Sequence, residues 1–199
     1  CELASAFQAF GSQVTMVEKL DRLAATMDAD ISRELLNQMR RSGIDIRLGK
    51  GVREITAQEG NALTVVAEDA EIECDRVLLA IGRVPDLECL GDLRDQLEVK
   101  NDSVVAEDTM RTSLKSVYAC GDINGRAMLA HAAFRMGEVA AENCVTQQDT
   151  PCRLEYVPTV LYTIPEAAGI GLTEEEARSR YADVRVGKFP MSANSRAVV

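Results

Sequence analysis

Residues 117–122 and the segment after them constrain the fold of this chain more than any other stretch. A β-prone apolar run covers residues 117–120, Gly121 frees the backbone to turn, and Asp122 places a carboxylate where a strand gives way to a helix. Such a carboxylate can bind sugar hydroxyls. Apolar or small residues then recur at the spacing of one helical face: Leu129, Ala132, Ala133, Met136, Ala140 and Cys144. This pattern predicts a helix from about Met128, whose first amide groups can hold an anion.

The two strings in this region resemble a known cofactor motif. Tyr-Ala-Cys-Gly-Asp at residues 118–122 and Met-Leu-Ala-His at residues 128–131 resemble the second FAD-binding motif of the flavin-linked pyridine nucleotide-disulfide oxidoreductases, most closely the dihydrolipoamide dehydrogenase branch. The resemblance implies that Asp122 binds the ribityl–phosphate part of FAD. It also implies that Met128, Leu129, Ala130 and His131 lie against the pyrimidine end of the flavin. The alternative is an ordinary strand, turn and capped helix of any α/β protein.

Composition and charge exclude several classes of protein. The chain has 199 residues and a formal net charge of -10, which disfavours binding to nucleic acid because the phosphates would be repelled. No apolar run reaches membrane-span length and no signal peptide is visible, so we expect a soluble, cytoplasmic protein. The six cysteines lack C-x-x-C spacing, which disfavours a metal site and favours buried or idle thiols in a reducing compartment over a disulfide framework.

The first 20 residues read as part of a dinucleotide-binding unit. A helical stripe over residues 3–10, a glycine at position 11 and an apolar strand over residues 14–17 lead to Glu18. An acidic residue at the end of such a strand accepts hydrogen bonds from the adenosine ribose. The family resemblance implies in addition that Glu2 lies near the nicotinamide. Lys19 and Arg22 are either partners for the 2′-phosphate of NADP or solvated surface charges.

The next segments extend this unit. We predict a helix over residues 31–42, capped by Asp28 and burying Ile31, a strand over residues 44–48, and then an antiparallel meander over residues 52–74. Residues 77–81 form a continuous apolar run, which predicts a strand covered on both faces. Gly82 follows at its carboxyl end and would let a dinucleotide approach the backbone. In the family, the position of Val52 lies near the adenine.

The predicted fold is α/β, in three parts. Residues 1–88 form a Rossmann-like NAD-binding domain with an antiparallel β-meander insertion, and residues 89–150 form the C-terminal segment of an FAD-binding domain. Residues 151–199 begin an α+β dimerisation domain, with strands over residues 158–162, 167–170 and 184–189 and a capping box at Thr173. The resemblance in this last part implies a homodimer.

The resemblance also implies an activity. In this branch, dihydrolipoamide or a lipoyl-bearing protein is oxidised through a redox disulfide and FAD, with hydride transfer to NAD. The reactive cysteine pair and the histidine base would lie upstream and downstream of these residues, so we assign no catalytic residue here. We expect both ends to be cut and the chain alone to be inactive. An NADH oxidase-type or other disulfide-reductase flavoprotein, and a non-catalytic dimerising module, are the alternatives.

Overall fold

The computed structural model describes residues 1–58, 60 and 62–198, and it divides them into two compact units. Unit 1 comprises residues 1–76 together with residues 159–198, and unit 2 comprises residues 77–158. Glu59 and Asn61, at the predicted turn of the meander, lie outside the described residues.

Helices and strands alternate only at the start of unit 1, and strands then follow one another. Its elements are α1 (Glu2–Ala9), β1 (Thr15–Glu18), α2 (Ala29–Arg41), β2 (Asp45–Leu48), β3 (Val52–Ala57), β4 (Leu63–Ala67) and β5 (Glu71–Cys74), then β8 (Thr159–Leu161), β9 (Ala167–Gly169), α4 (Glu174–Arg180) and the short α5 (Ser195–Val198). Unit 2 contains the hairpin strands β6 (Val99–Lys100) and β7 (Ser103–Val104) and the long helix α3 (Ala130–Thr146).

A parallel pair of strands and two helices form the start of unit 1, as the sequence predicts. Strands β1 and β2 pair in parallel from Thr15 opposite Asp45 to Glu18 opposite Leu48. Helix α2 buries Leu35 and Met39 against the apolar side chains of this pair, because these residues lie four apart on one helical face. The prediction that Ile31 is buried is wrong, since its side chain is 38% exposed.

The predicted meander is present. Strands β3, β4 and β5 form an antiparallel sheet in sequence order. β4 is the most buried of the three because it pairs on both sides. Val52 opens β3 and remains 46% exposed, next to a register shift in the ladder.

Three predicted strands do not form. Residues 77–81 have no ladder partner among the described residues, and Ile81 is 92% exposed. An apolar run becomes a strand only when neighbouring strands satisfy its backbone groups. Residues 184–189 also belong to no strand, and residues 117–120 contribute a single bridge, between Arg111 and Tyr118.

Unit 2 is built around α3. Its buried face comprises Ala132, Met136, Val139, Ala140 and Asn143, so the helical stripe predicted from the sequence is right up to Ala140. The prediction is wrong at Cys144, which is exposed, because the stripe drifts by one position and Asn143 takes the buried place. No described helix is long and apolar enough to cross a membrane.

The C-terminal part of unit 1 is held to the first 76 residues by polar contacts. The Ser5 hydroxyl accepts a hydrogen bond from the Ile164 amide at 3.1 Å. Arg22 forms two hydrogen bonds with Glu175, and Lys188 pairs with Asp30.

Asp28 occupies the N-cap position of α2, but its side chain does not cap that helix. Its Oδ1 atom instead accepts a hydrogen bond from the Glu174 amide at 2.7 Å, at the start of α4. The predicted N-cap position is therefore confirmed, but the carboxylate does not bind the amides of its own helix. Asp28 joins two segments that lie 146 residues apart.

We expect these contacts to weaken when the pH falls. The Lys188 ammonium, followed by Arg33, holds the pKa of Asp30 below its ordinary value of 3.8, and the Arg22 guanidinium holds the pKa of Glu175 below 4.5. Both pKa values are lower in the folded state, so the stabilisation is complete above the ordinary values and is lost as the pH drops through the folded ones. Hydrogen exchange of peptides from residues 159–198 between pH 6 and pH 3 would measure this loss.

The matched control is the double variant Asp30→Asn, Glu175→Gln. Its residues 159–198 should be less protected at pH 6 and change less with pH. Glu176 would still contribute, because hydrogen bonds from the Thr173 backbone and side chain lower the pKa of its carboxyl. Equal pH dependence in both proteins would contradict the prediction.

Candidate functional site

The Gly121–Asp122 turn lies at the centre of the candidate site. Gly121 has φ 78°, a conformation that glycine adopts without strain, and a Cβ atom built there would meet the Ala133 methyl at 3.4 Å. Asp122 opens a single 3₁₀ turn, Asp122–Asn124, and its side chain is exposed. The backbone therefore passes close to α3 and presents an accessible carboxylate.

Hydrogen bonds with the side chains of Met136 and Asn124 stabilise this turn. The Gly121 amide donates a hydrogen bond to Sδ of Met136 at 3.3 Å. The side-chain amide of Asn124 donates to the Ala119 carbonyl at 3.0 Å and lies 3.3 Å from the same sulfur atom. Both Met136 and Asn124 are buried, so the turn is fixed by the core of unit 2. Periodicity alone marks Met136 as apolar core and does not reveal this role.

The start of α3 has no side-chain cap. The N-cap residue is Leu129, which has no side-chain oxygen to cap the helix. The first helical hydrogen bond runs from the Ala133 amide to the Leu129 carbonyl, which leaves the amides of Ala130, His131 and Ala132 without helical acceptors. These groups carry the positive end of the helix dipole.

Two of the predicted motifs meet in unit 2. Nη2 of Arg83, next to Gly82, donates a hydrogen bond to the Met128 carbonyl at 3.2 Å. Gly82 itself has φ 123°, which favours glycine. His131 lies one residue into α3, and its Nε2 is 2.8 Å from the Pro158 carbonyl oxygen. Gly82, Asp122 and residues 128–131 therefore belong to one unit.

The other predicted site residues lie in unit 1. Oε1 of Glu2 accepts a hydrogen bond from the Tyr162 amide at 2.9 Å. Glu18 is the last residue of β1, and its Oε1 atom accepts a hydrogen bond from the Leu20 amide at 2.8 Å. This bond holds the carboxylate at the carboxyl edge of the parallel pair. Val52 begins the meander. That Glu2, Glu18 and Val52 contact a dinucleotide remains a prediction.

The cysteines do not form a redox pair. All six are free, and among them Cys152 is buried. Burial raises the pKa of the Cys152 thiol, which keeps it protonated and a poor nucleophile. Within the described residues, no three histidine, cysteine or acidic side chains are grouped so that they could hold a metal ion.

The fit of these residues to the predicted cofactors is partial. An exposed carboxylate, a close glycine turn and an open helix start suit a sugar–phosphate chain and an electron-rich ring edge. The 199 residues contain no Gly-x-Gly-x-x-Gly string, so the amides that bind a pyrophosphate in such folds are not supplied by a glycine loop here.

Comparisons with known protein families give two matches. Residues 1–137 match the family model described as pyridine nucleotide-disulphide oxidoreductase, and residues 157–199 match the dimerisation domain of the same family. A dihydrolipoyl dehydrogenase of Bacillus subtilis is 35% identical over 200 residues, which is 100% of this chain and 43% of that protein. The enzyme of the same name from Thermus scotoductus is 37% identical, over 99% of this chain and 44% of its own length. The chain thus spans less than half of these relatives.

Two solved structures have a similar fold. LpdA from Mycobacterium tuberculosis matches with a TM-score of 0.89 and 26% identity, covering 99% of this chain and 43% of that one. The HOCl-induced flavoprotein disulfide reductase RclA from Escherichia coli matches with a TM-score of 0.86 and 27% identity, covering 98% and 45%.

Proposed function

Because the chain belongs to the pyridine nucleotide-disulphide oxidoreductase family, we propose that it is the central and C-terminal part of a dihydrolipoyl dehydrogenase. The proposed reaction is the oxidation of dihydrolipoamide, free or on a lipoyl-bearing protein, with hydride transfer to NAD. Curated relatives of that name match along the whole chain and support this choice. The observation that carries the proposal is the rigid Gly121–Asp122 turn within the same unit as the open start of α3.

The residues of this chain would bind and orient the two cofactors. Asp122 would accept hydrogen bonds from the ribityl chain of FAD, and the start of α3, which has no side-chain cap, would face the pyrimidine edge of the ring. FAD, when bound, supplies the electron transfer between the dithiol and the nicotinamide. Glu18 would accept hydrogen bonds from the adenosine ribose of NAD, and Val52, in the same unit, would lie near the adenine. Glu2 would lie near the nicotinamide.

The remaining parts of the proposal concern assembly and location. A match to the dimerisation domain over residues 157–199 supports a homodimer. Six free thiols suit the reducing cytoplasm. These residues contain neither a redox cysteine pair nor a histidine placed as a base, so we expect the 199-residue chain alone to show no dihydrolipoamide-dependent reduction of NAD.

The test is an assay of the complete protein as its gene encodes it. We expect a flavin absorption spectrum after purification and formation of NADH from NAD with dihydrolipoamide. A flavoprotein that oxidises NADH with oxygen but ignores dihydrolipoamide would favour an NADH oxidase. A protein that reduces another disulfide would favour the activity named for the Escherichia coli structure. A dimer without affinity for FAD or NADH would favour the alternative of a non-catalytic dimerising module.

A further inference from the structure

Arg22, one of two cations that follow β1, is engaged by a carboxylate from a distant part of the chain. Its Nη1 lies 2.7 Å from Oε1 of Glu175, and its Nη2 lies 3.0 Å from Oε2. This is a bidentate pair, the geometry in which an arginine binds a carboxylate or a phosphate most specifically. Nη2 also donates to the Ala25 carbonyl at 3.1 Å, which orients the guanidinium further.

Arg22 lies at a position where such folds bind the part of the cofactor that distinguishes NADP from NAD. Arg22 lies four residues after Glu18, the acidic residue at the carboxyl end of β1. In folds of this type, an arginine near that acidic residue accommodates the 2′-phosphate that distinguishes NADP from NAD. A phosphate bound by Arg22 in the same bidentate way would compete with Glu175 for its two Nη atoms.

Glu175 is held in place by its own surroundings. It lies in the first turn of α4, whose start is fixed by a capping box between Thr173 and Glu176. The Glu174 amide is bound by Asp28 of unit 1 at 2.7 Å. The carboxylate is therefore presented to Arg22 by an ordered helix start, although its side chain is 60% exposed.

We propose that Glu175 is a specificity-determining residue, which favours NAD over NADP by occupying Arg22. This inference rests on the proposed function, because it requires that the unit binds a nicotinamide dinucleotide. NADP must displace the Glu175 carboxylate and then place a phosphate of nearly two negative charges beside it. NAD carries only a hydroxyl there and leaves the pair intact. A residue of the segment that matches the dimerisation domain would thus contribute to the specificity for NAD over NADP.

The test compares NADPH and NADH affinities of the complete protein and its variants by titration of cofactor fluorescence. Glu175→Gln should tighten NADPH binding by about tenfold and change NADH binding less than about twofold, since one like charge is removed and Arg22 is released. Glu174→Gln is the matched control. It removes the same charge from the same helical turn, but Glu174 binds Arg178 at 2.8 Å and not Arg22. We expect no change in either affinity for this variant.

A second comparison isolates Arg22. The double variant Arg22→Gln, Glu175→Gln should lose the gain in NADPH affinity, and Glu175→Ala should reproduce the effect of Glu175→Gln. Retained NADH binding shows that each variant is folded. Equal gains in Glu175→Gln and Glu174→Gln, or a gain that survives loss of Arg22, would overturn the inference while the proposed function stands. Failure of the wild-type protein to bind NADH would overturn both.

Discussion

Replacing Asp122 with alanine is expected to weaken FAD binding by the complete protein by roughly 100-fold. The carboxylate is exposed beside a turn that the core of unit 2 fixes through Met136 and Asn124, so its position is set before the cofactor binds. Hydrogen bonds to a charged group contribute about 1.5–3 kcal/mol each, and a 100-fold loss of affinity, about 2.8 kcal/mol, corresponds to the loss of one strong bond of this kind from Asp122. Equilibrium dialysis of the apoprotein with FAD would measure it.

A second aspartate provides the control for this prediction. Asp95 is exposed in the same unit, outside the motif, and Asp95→Ala removes the same charge. Its FAD affinity should remain within about twofold of wild type, because distant exposed charges are screened at physiological salt. A similar loss of FAD affinity in both variants would mean that the change in net charge, and not a contact of Asp122, causes the effect. Unchanged FAD affinity in Asp122→Ala would show that Asp122 does not bind FAD.

The sequence predicts the local elements of unit 1 well because their determinants are local. The stripe of α2, the alternation of the meander and the capping box at Thr173 each depend on residues within one or two turns of one another. Their bounds in the structure differ from the predicted ones by one or two residues. The family resemblance is also local, since it is carried by the short strings at residues 118–122 and 128–131.

Predictions that depend on distant partners fail or remain incomplete. The apolar run at residues 77–81 indicates burial, but burial requires neighbouring strands that the described residues do not provide. Asp28 has the right residue type for a cap, and the Glu174 amide competes successfully for its carboxylate. Nothing in a local window shows that competitor.

The candidate site divides in the same way. The Gly121–Asp122 turn and the helix after it are visible in the sequence, because glycine, carboxylate and helical periodicity follow one another within 25 residues. Their support by Met136 and Asn124 is not visible, since a methionine in an apolar stripe has the same pattern whether or not its sulfur accepts a hydrogen bond. Arg22 was identifiable as a possible phosphate partner, but its pairing with Glu175 joins residues 153 apart in the chain.

Asn143 makes contacts of this kind, which cannot be inferred from the local sequence, and we expect them to contribute strongly to stability. It is completely buried in α3, and its side-chain amide donates to the Thr109 carbonyl at 3.0 Å and to the Thr150 carbonyl at 2.8 Å. Its Oδ1 atom accepts a hydrogen bond from the Thr150 amide at 2.9 Å. One side chain therefore satisfies three backbone groups and ties α3 to two loops of unit 2.

We expect Asn143→Leu to lower the free energy of opening of α3 by about 3 kcal/mol, because the new side chain is of similar size but leaves these three backbone groups without partners. The measurement is hydrogen exchange resolved by peptide, which reports the opening of α3 by itself, with peptides of unit 1 as the internal reference. Glu142→Leu, at the exposed neighbouring position, should change the opening free energy by no more than about 0.5 kcal/mol. If Asn143→Leu costs as little as Glu142→Leu, water or rearranged loops satisfy the three groups, and the loops around α3 are held by apolar packing instead.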